Sequence, residues 1–323
     1  MDNRTWKKVG LGVAAAGALA GLMAALRYGN QYLDEFENAQ NEDAASGEYF
    51  TTSAGWRMHY TVQGKGAPLV LIHGFLDSLQ TWRRNVPVWA QTHRVYAIDV
   101  LGFGSSDRVR APIYTLKQQA QFLREFFAAQ QLTRATVIGH SMGGALALQF
   151  AYDFPELIHK LVLIAPATYL YAAFPRNGLR TMPPRVSRGM MGLYEKWQGE
   201  RVNPVRYAYG DAARITPDAV ALRQQMMRVR GTHDALIAMS RSKREADVPR
   251  GLGAVTAPTL LIWGKRDRVV PIWHAPRHLR ALPNAHLEWI ETAGHLPHEE
   301  EPATVNELAR AFLDDAPGRA LTA

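Results

Sequence analysis

Ala135-Thr136-Val137-Ile138-Gly139-His140-Ser141-Met142-Gly143-Gly144 decides how the rest of this chain is read. An apolar run ends in Gly-His-Ser-Met-Gly, and a small-residue stretch with helical character, 144–150, follows at once. Buried strand, sharp turn and helix are the context that a G-x-S-x-G nucleophile turn requires. Glycines flank the serine because the turn holds it in a strained conformation while helix and strand approach closely. The turn lifts the hydroxyl clear of the sheet and leaves the next backbone N–H at a helix N-terminus, where negative charge is favoured. Ser141 is therefore the candidate nucleophile, with a structural turn serine as the alternative.

A serine hydroxyl attacks well only when a base removes its proton. Histidine, with an unperturbed pKa of roughly 6.5, suits that task, and a carboxylate must hold the ring. Two later segments supply them. Asp267 follows the apolar run 260–263 in Trp-Gly-Lys-Arg-Asp, and His295 follows 286–290 in Ala-Gly-His-Leu-Pro-His. His286 and His298 lack the Gly-His setting, Asp99 reads as a turn residue, and Asp234 and Asp247 fall in an insertion. A histidine base predicts activity that falls below roughly pH 6.5. His73, Trp82, His140 and Tyr169 are candidates for the substrate pocket, with ordinary core packing as their alternative. His295-Leu-Pro-His298-Glu299-Glu300 has metal-binding residue types, but Pro297 opposes the helix that would put both histidines on one face. No metal is expected. Gly102-x-Gly104 lacks the rest of a dinucleotide fingerprint and no phosphate-binding loop occurs, so no cofactor is expected either.

With 323 residues, 47% of them hydrophobic, the chain has ample material for one large domain with an insertion. The absence of cysteine excludes disulfides and thiolate chemistry. A hairpin, 49–53 and 56–62, opens the regular part. Short apolar runs at 69–72, 95–98, 136–138, 161–164, 260–263 and 286–290 suit strands buried on both faces of a parallel sheet. Helical patterns at 79–90, 116–131, 144–154, 274–281 and 303–313 separate them, which predicts βαβ units with active residues at the strands' carboxyl ends. The alternation breaks at 169–250, a proline-punctuated helical stretch read as a cap between the sixth and seventh strands. It carries fifteen Lys/Arg against seven Asp/Glu, in a chain of net charge +8, and six of the ten methionines. Methionines make an adaptable apolar surface. No nucleic-acid motif accompanies the charge, so the basic cap is read as facing anionic lipid or an acidic carrier, or as a solvated surface.

Residues 1–30 read as a membrane anchor. Arg4, Lys7 and Lys8 precede an uncharged stretch, 9–26, and Arg27 follows it. As a helix that stretch is about 27 Å long, close to the ~30 Å of a bilayer core. The basic flank predicts a cytoplasmic N-terminus and a periplasmic or extracytoplasmic catalytic domain, with Tyr28 and Tyr32 at the interface. The alternative is a secreted protein whose signal peptide is cleaved near Ala18-Leu19-Ala20. Gly17 and Gly21 form a weak helix-pairing motif. Residues 31–47 read as a linker, 48–168 and 251–323 as the core.

From Glu48 to about Leu313 the chain resembles the α/β-hydrolase superfamily, in its serine esterase and lipase branch. Ser141, Asp267 and His295 follow that family's order of nucleophile, acid and base. His73-Gly74-Phe75 is similar to its oxyanion loop after strand 3, and the segment from Asp99 to Gly104 to its turn after strand 4. The resemblance implies a mostly parallel eight-stranded sheet flanked by helices, a helical cap, and an oxyanion hole made by the N–H groups of Phe75 and Met142. Serine at 141, where epoxide-opening and dehalogenating relatives carry aspartate, implies an acyl-enzyme and an acyl or lipid-like ester substrate. Carbon–carbon bond hydrolases share the Ser-Met-Gly-Gly turn, but usually with a Gly-x-Gly-Pro-Gly loop and a tryptophan after the histidine. Phe75-Leu76-Asp77 and Leu296 stand at those places. Lactone hydrolysis and a ligand-binding module without turnover are the remaining alternatives.

Overall fold

A computed structural model describes residues 3–38, 46–169, 182–198, 204–242 and 251–314. Its centre is one sheet of β1 (Glu48–Thr51), β2 (Arg57–Gln63), β3 (Ala67–Ile72), β4 (His93–Ile98), β5 (Ala135–His140), β6 (Ile158–Ile164), β7 (Thr259–Gly264) and β8 (Ala285–Ile290). The spatial order is β1-β2-β4-β3-β5-β6-β7-β8. β1 and β2 run antiparallel to their neighbours, and every pairing from β4 to β8 is parallel. The sheet is the mostly parallel, eight-stranded one expected.

Successive side chains of a strand point to opposite faces, so each apolar run feeds two cores. Val70 and Ile72 pack with Phe122, Phe126 and Phe127 of α3 (Leu116–Ala129) and Leu146 and Phe150 of α4 (Met142–Asp153). Leu69 and Leu71 pack on the other face, with Trp82, Trp89 of α2 (Val86–Trp89), and Val305, Ala309 and Phe312 of α11 (Pro302–Asp314). Burial on both faces explains why these strands read as continuous rather than alternating hydrophobic runs. The helix expected over 79–90 is broken into a 3-10 turn, Leu79–Trp82, and the single turn of α2. Pro87, which supplies no N–H, stands at the start of α2.

Between β6 and β7 lies the helical cap: α5 (Pro184–Gln198), α6 (Pro204–Ala208), α7 (Pro217–Arg228) and α8 (Thr232–Arg241). Three of these helices begin on proline, whose fixed φ and missing N–H suit a first turn. α9 (His274–Ala281) and α10 (Pro297–Glu300) complete the core.

The N-terminal anchor is overturned. Residues 3 to 38 form α1 (Asn3–Asn38), and among the described residues no helix is long and apolar enough to cross a membrane. The expected membrane partner and the single-pass, extracytoplasmic placement fall with it. From Leu26 onward this helix packs on protein, while Leu19, Leu22 and Met23 within the uncharged stretch are exposed. Leu26 and Leu33 are buried, and α1 crosses α5 so closely that a Cβ on Gly29 or Gly189 would meet the other helix's backbone. Only glycine permits that approach. Asn30 Nδ2 donates to Arg185 O (3.0 Å), and Arg188 reaches Asp34 (3.1 Å) and Glu37 (2.9 Å). Tyr28 and Tyr32, read as interfacial aromatics, lie beneath the Lys196 ammonium of α5, at 4.3 and 5.8 Å. The side chains of residues 3–18, together with Asp247 and 39–45 of the expected linker, lie outside the described residues.

Candidate active site

The carboxyl ends of β5, β7 and β8 converge on one point, as parallel topology directs. Ser141 stands between β5 and α4 with φ 51° and ψ −113°, a conformation L residues rarely adopt and one that costs about 1–3 kcal/mol. The surroundings hold it there. Its N–H donates to Ile164 O (2.9 Å), its carbonyl accepts from Ala145 N (3.1 Å) and Ala167 N (2.9 Å), and a Cβ at Gly143 would strike the Ile72 and His73 carbonyls.

His295 Nε2 lies 2.9 Å from Ser141 Oγ, and its Nδ1 lies 2.9 Å from Asp267 Oδ2. The other Asp267 oxygen accepts from Val269 N (2.8 Å) and Val270 N (2.9 Å), so the carboxylate is fixed in the ring plane's direction by its own loop. All three side chains are buried. The carboxylate fixes the tautomer: Nδ1 carries the proton, Nε2 faces the serine hydroxyl and accepts from it. The three residues singled out from sequence are thus brought into one hydrogen-bonded line.

The loop carrying His295 is held from three sides. Its N–H donates to Ala208 O of α6 (2.7 Å), and its carbonyl accepts from His140 Nε2 (2.8 Å). Glu300 Oε1 accepts from Gly294 N (2.8 Å) while its Oε2 accepts from Gly210 N of the cap (2.8 Å). Burial raises the Glu300 pKa against those hydrogen bonds.

The remaining expected residues divide. Met142 opens α4, so its N–H is one of the unpaired donors of a helix N-terminus. Phe75 is half exposed and follows His73, whose Nδ1 donates to Gly74 O (2.7 Å) and whose Nε2 accepts from Val100 N (3.0 Å). His140 is buried with its ring 4.8 Å from that of His295, and burial, with His298 and His295 adjacent, pushes its pKa well down. Trp82 is packed on His298 (4.6 Å) and Trp89 (6.2 Å), and Tyr169 between Arg277 and His278. Asp99 organises its turn, accepting from Leu79 N, Ser105 N and His59 Nδ1. A narrow apolar cleft beside Met142 is lined by Val100, Phe103, Tyr114, Leu146 and Met239, the last from the cap.

His298 and Glu299 share Thr81, while Glu300 faces the cap. His298 Nε2 donates to Thr81 Oγ1 (2.8 Å), and Thr81 donates to Glu299 (2.6 Å). Glu299 also receives Arg223 of α7 (2.7 Å) and Tyr209 OH (2.9 Å). Arg223 reaches Asp77 (3.1 Å), two residues past Phe75. Burial raises the Glu299 pKa, but Arg223 overrides it and holds the carboxyl at about 2. Burial raises Asp77, which shares the same guanidinium. Sequence reading missed this junction of cap and core, because Arg223 stands 146 positions from Asp77 and 76 from Glu299. Among the described residues no group of three or more His, Asp or Glu side chains is placed to hold a metal ion.

Residues 67–302 match the family described as alpha/beta hydrolase fold. An uncharacterized hydrolase of Bacillus subtilis is 31% identical over 79% of this chain and 92% of its own. The 2-hydroxy-6-oxononadienedioate/2-hydroxy-6-oxononatrienedioate hydrolase of Cupriavidus pinatubonensis is 30% identical over 84% of this chain and 96% of its own. A thermophilic esterase from Thermogutta terrifontis superposes with a TM-score of 0.68 at 23% identity, covering 83% of this chain and 98% of that one.

Proposed function

The chain belongs to the alpha/beta hydrolase fold family, and from that premise we propose a serine hydrolase of the esterase and lipase branch, cleaving carboxylic esters through an acyl-enzyme. The unbroken line Asp267–His295–Ser141, with two 2.9 Å hydrogen bonds, carries this reading. Ser141 Oγ attacks the ester carbonyl as His295 Nε2 takes its proton, and Asp267 stabilises the imidazolium that forms. The N–H groups of Phe75 and Met142 hold the oxyanion, each worth about 3–4 kcal/mol in the transition state. His295 then gives its proton to the departing alkoxide, leaving Ser141 acylated. It next takes a proton from water as the water oxygen attacks the acyl carbon, and Ser141 leaves with that proton restored. The acyl group is placed against the apolar wall beside Met142, where only about 10 Å³ is open, so a longer acyl chain requires Met239 of the cap to move aside.

The Cupriavidus relative, named for a dienedioate substrate, supports a second reading, carbon–carbon bond hydrolysis. Such a substrate carries two carboxylates and calls for a free guanidinium near the nucleophile. Arg223, the one joined to the oxyanion-loop side through Asp77, is already committed to Asp77 and Glu299. That favours the ester.

The test is labelling of the full chain with a fluorescent fluorophosphonate beside Ser141→Ala, followed by p-nitrophenyl esters of graded acyl length. Labelling and turnover by wild type alone are expected. Labelling without turnover of any ester would move the reading to the carbon–carbon bond hydrolase, and no labelling at all would sink an activated serine.

A further inference from the structure

A second cleft, of about 400 Å³, opens between the core turn Gly104–Arg108 and the C-terminal end of α7. No triad residue lines it. Its walls carry three guanidiniums, Arg57, Arg108 and Arg230, and a single carboxylate, Asp107. Asp107 is occupied: its Oδ2 accepts from Arg57 N (2.8 Å) and its Oδ1 lies 3.4 Å from the Arg57 guanidinium.

Arg108 is the group that calls for a partner. It is held in place by Thr232 Oγ1 (2.9 Å), Ser106 O (3.0 Å) and Gly104 O (2.8 Å), and among the described residues no carboxylate lies within ion-pair distance of it. A guanidinium has five N–H donors, so two of its remain for a ligand. Burial pulls its pKa down to about 10 against the attraction of Asp99, Glu37 and Asp107 nearby. The surrounding acids are spent elsewhere. Glu37 is bound to His233 and Arg188, Asp234 to Arg110 and Arg188, and Asp99 to His59 and two backbone N–H groups. Arg230, at the rim, makes no hydrogen bond or ion pair among the described residues, nor does the Ser105 hydroxyl. Two unmatched positive charges, a free hydroxyl and a fork of N–H donors suit a doubly charged tetrahedral oxyanion. Tyr49 on one wall and Met226 and Val229 on the other add space and apolar surface beyond a bare ion.

We propose that this cleft binds a small soluble phosphomonoester, its phosphoryl group on Arg108 and Arg230 and its organic body against Tyr49 and Met226. The site is separate from the ester chemistry and stands or falls without it. Binding is measured by calorimetry and thermal shift on the full chain at constant ionic strength, with phenyl phosphate, inorganic phosphate and benzoate as probes. Phenyl phosphate is expected to bind saturably, more tightly than inorganic phosphate, and much more tightly than benzoate. Arg230→Gln, a surface change, and Arg108→Lys, which keeps the charge and loses the fork, are each expected to weaken it roughly tenfold or more. Ser141→Ala is expected to bind as wild type does. Absence of saturable binding, equal affinity for benzoate, indifference to Arg230→Gln and Arg108→Lys together, or loss of binding in Ser141→Ala would each overturn the proposal.

Discussion

Ser141 and His295 are poised by groups that never meet a substrate. The strained backbone at Ser141 is trapped by sheet and helix, and His295 is clamped through its own carbonyl by His140. Three buried histidines share a further property. His140 lies well below the ordinary histidine pKa, His278 at about 4 and His298 at about 3, chiefly because burial disfavours the charged ring. The unfolded chain binds protons at these residues below roughly pH 6.5 while the folded one does not, so stability is full above that pH and falls below it. Each contributes at most about 1.4 kcal/mol per pH unit in that window. Melting temperature is expected to drop steeply from pH 6.5 to 5, and His298→Gln to flatten the slope; an unchanged slope would contradict the assignment. In the acyl cleft, Met239→Trp is expected to cut turnover of a p-nitrophenyl octanoate at least roughly tenfold relative to the acetate, since one methylene in a pocket is worth about 1–3 kcal/mol. The triad was legible because each member sits in a short motif at a strand end. His140's hold on His295 was not, since no local pattern announces a contact 155 positions away.

Of the packings that join the cap to its surroundings, two have distinct weaknesses. Arg223 of α7 ties Asp77, beyond Phe75, to Glu299, beyond His295. Arg223→Ala leaves the buried Asp77 without its cation and Glu299 with Arg83 alone (3.4 Å), a loss of about 3–5 kcal/mol. Adding Asp77→Asn removes the uncompensated charge, so the double variant is expected to melt above the single one; a lower melting point would show that Arg223 does not serve as the counter-ion. α1 and α5 meet backbone to backbone at Gly29 and Gly189. Gly189→Val is expected to lower the melting temperature by several degrees and to open α1 to protease, checked by mass mapping of the fragments. Strands and cap were readable from hydrophobic runs and their interruption. The docking of α1 was not: its contact glycine, Gly29, lies beyond the uncharged stretch, and only the partner helix shows what that glycine is for.

The parallel part of the sheet, β4-β3-β5-β6-β7-β8, is built of strands joined through helices, the βαβ units that the chain's alternation predicts. What alternation cannot supply is the long-range charge pairing. Removing residues 1–38 takes Glu37 from His233 and Arg188, both in the cap, and uncovers the glycine face of α5. The truncated protein is expected to melt about 5 °C or more lower and to gain tryptic sites in the cap, while fluorophosphonate labelling survives. Retention of the full melting temperature would show α1 to be a passenger. The docking of α1 also sets an order of events during synthesis. The residues it bonds, Arg185 and Arg188, lie 155 to 158 positions downstream of Asn30. At about 5–20 residues per second, α1 waits roughly 8–30 s outside the ribosome before its partner helix has been made. This helix therefore docks only after six strands of the sheet have been made, and a nascent chain paused before the cap carries its unpaired docking face for any passing chaperone to hold.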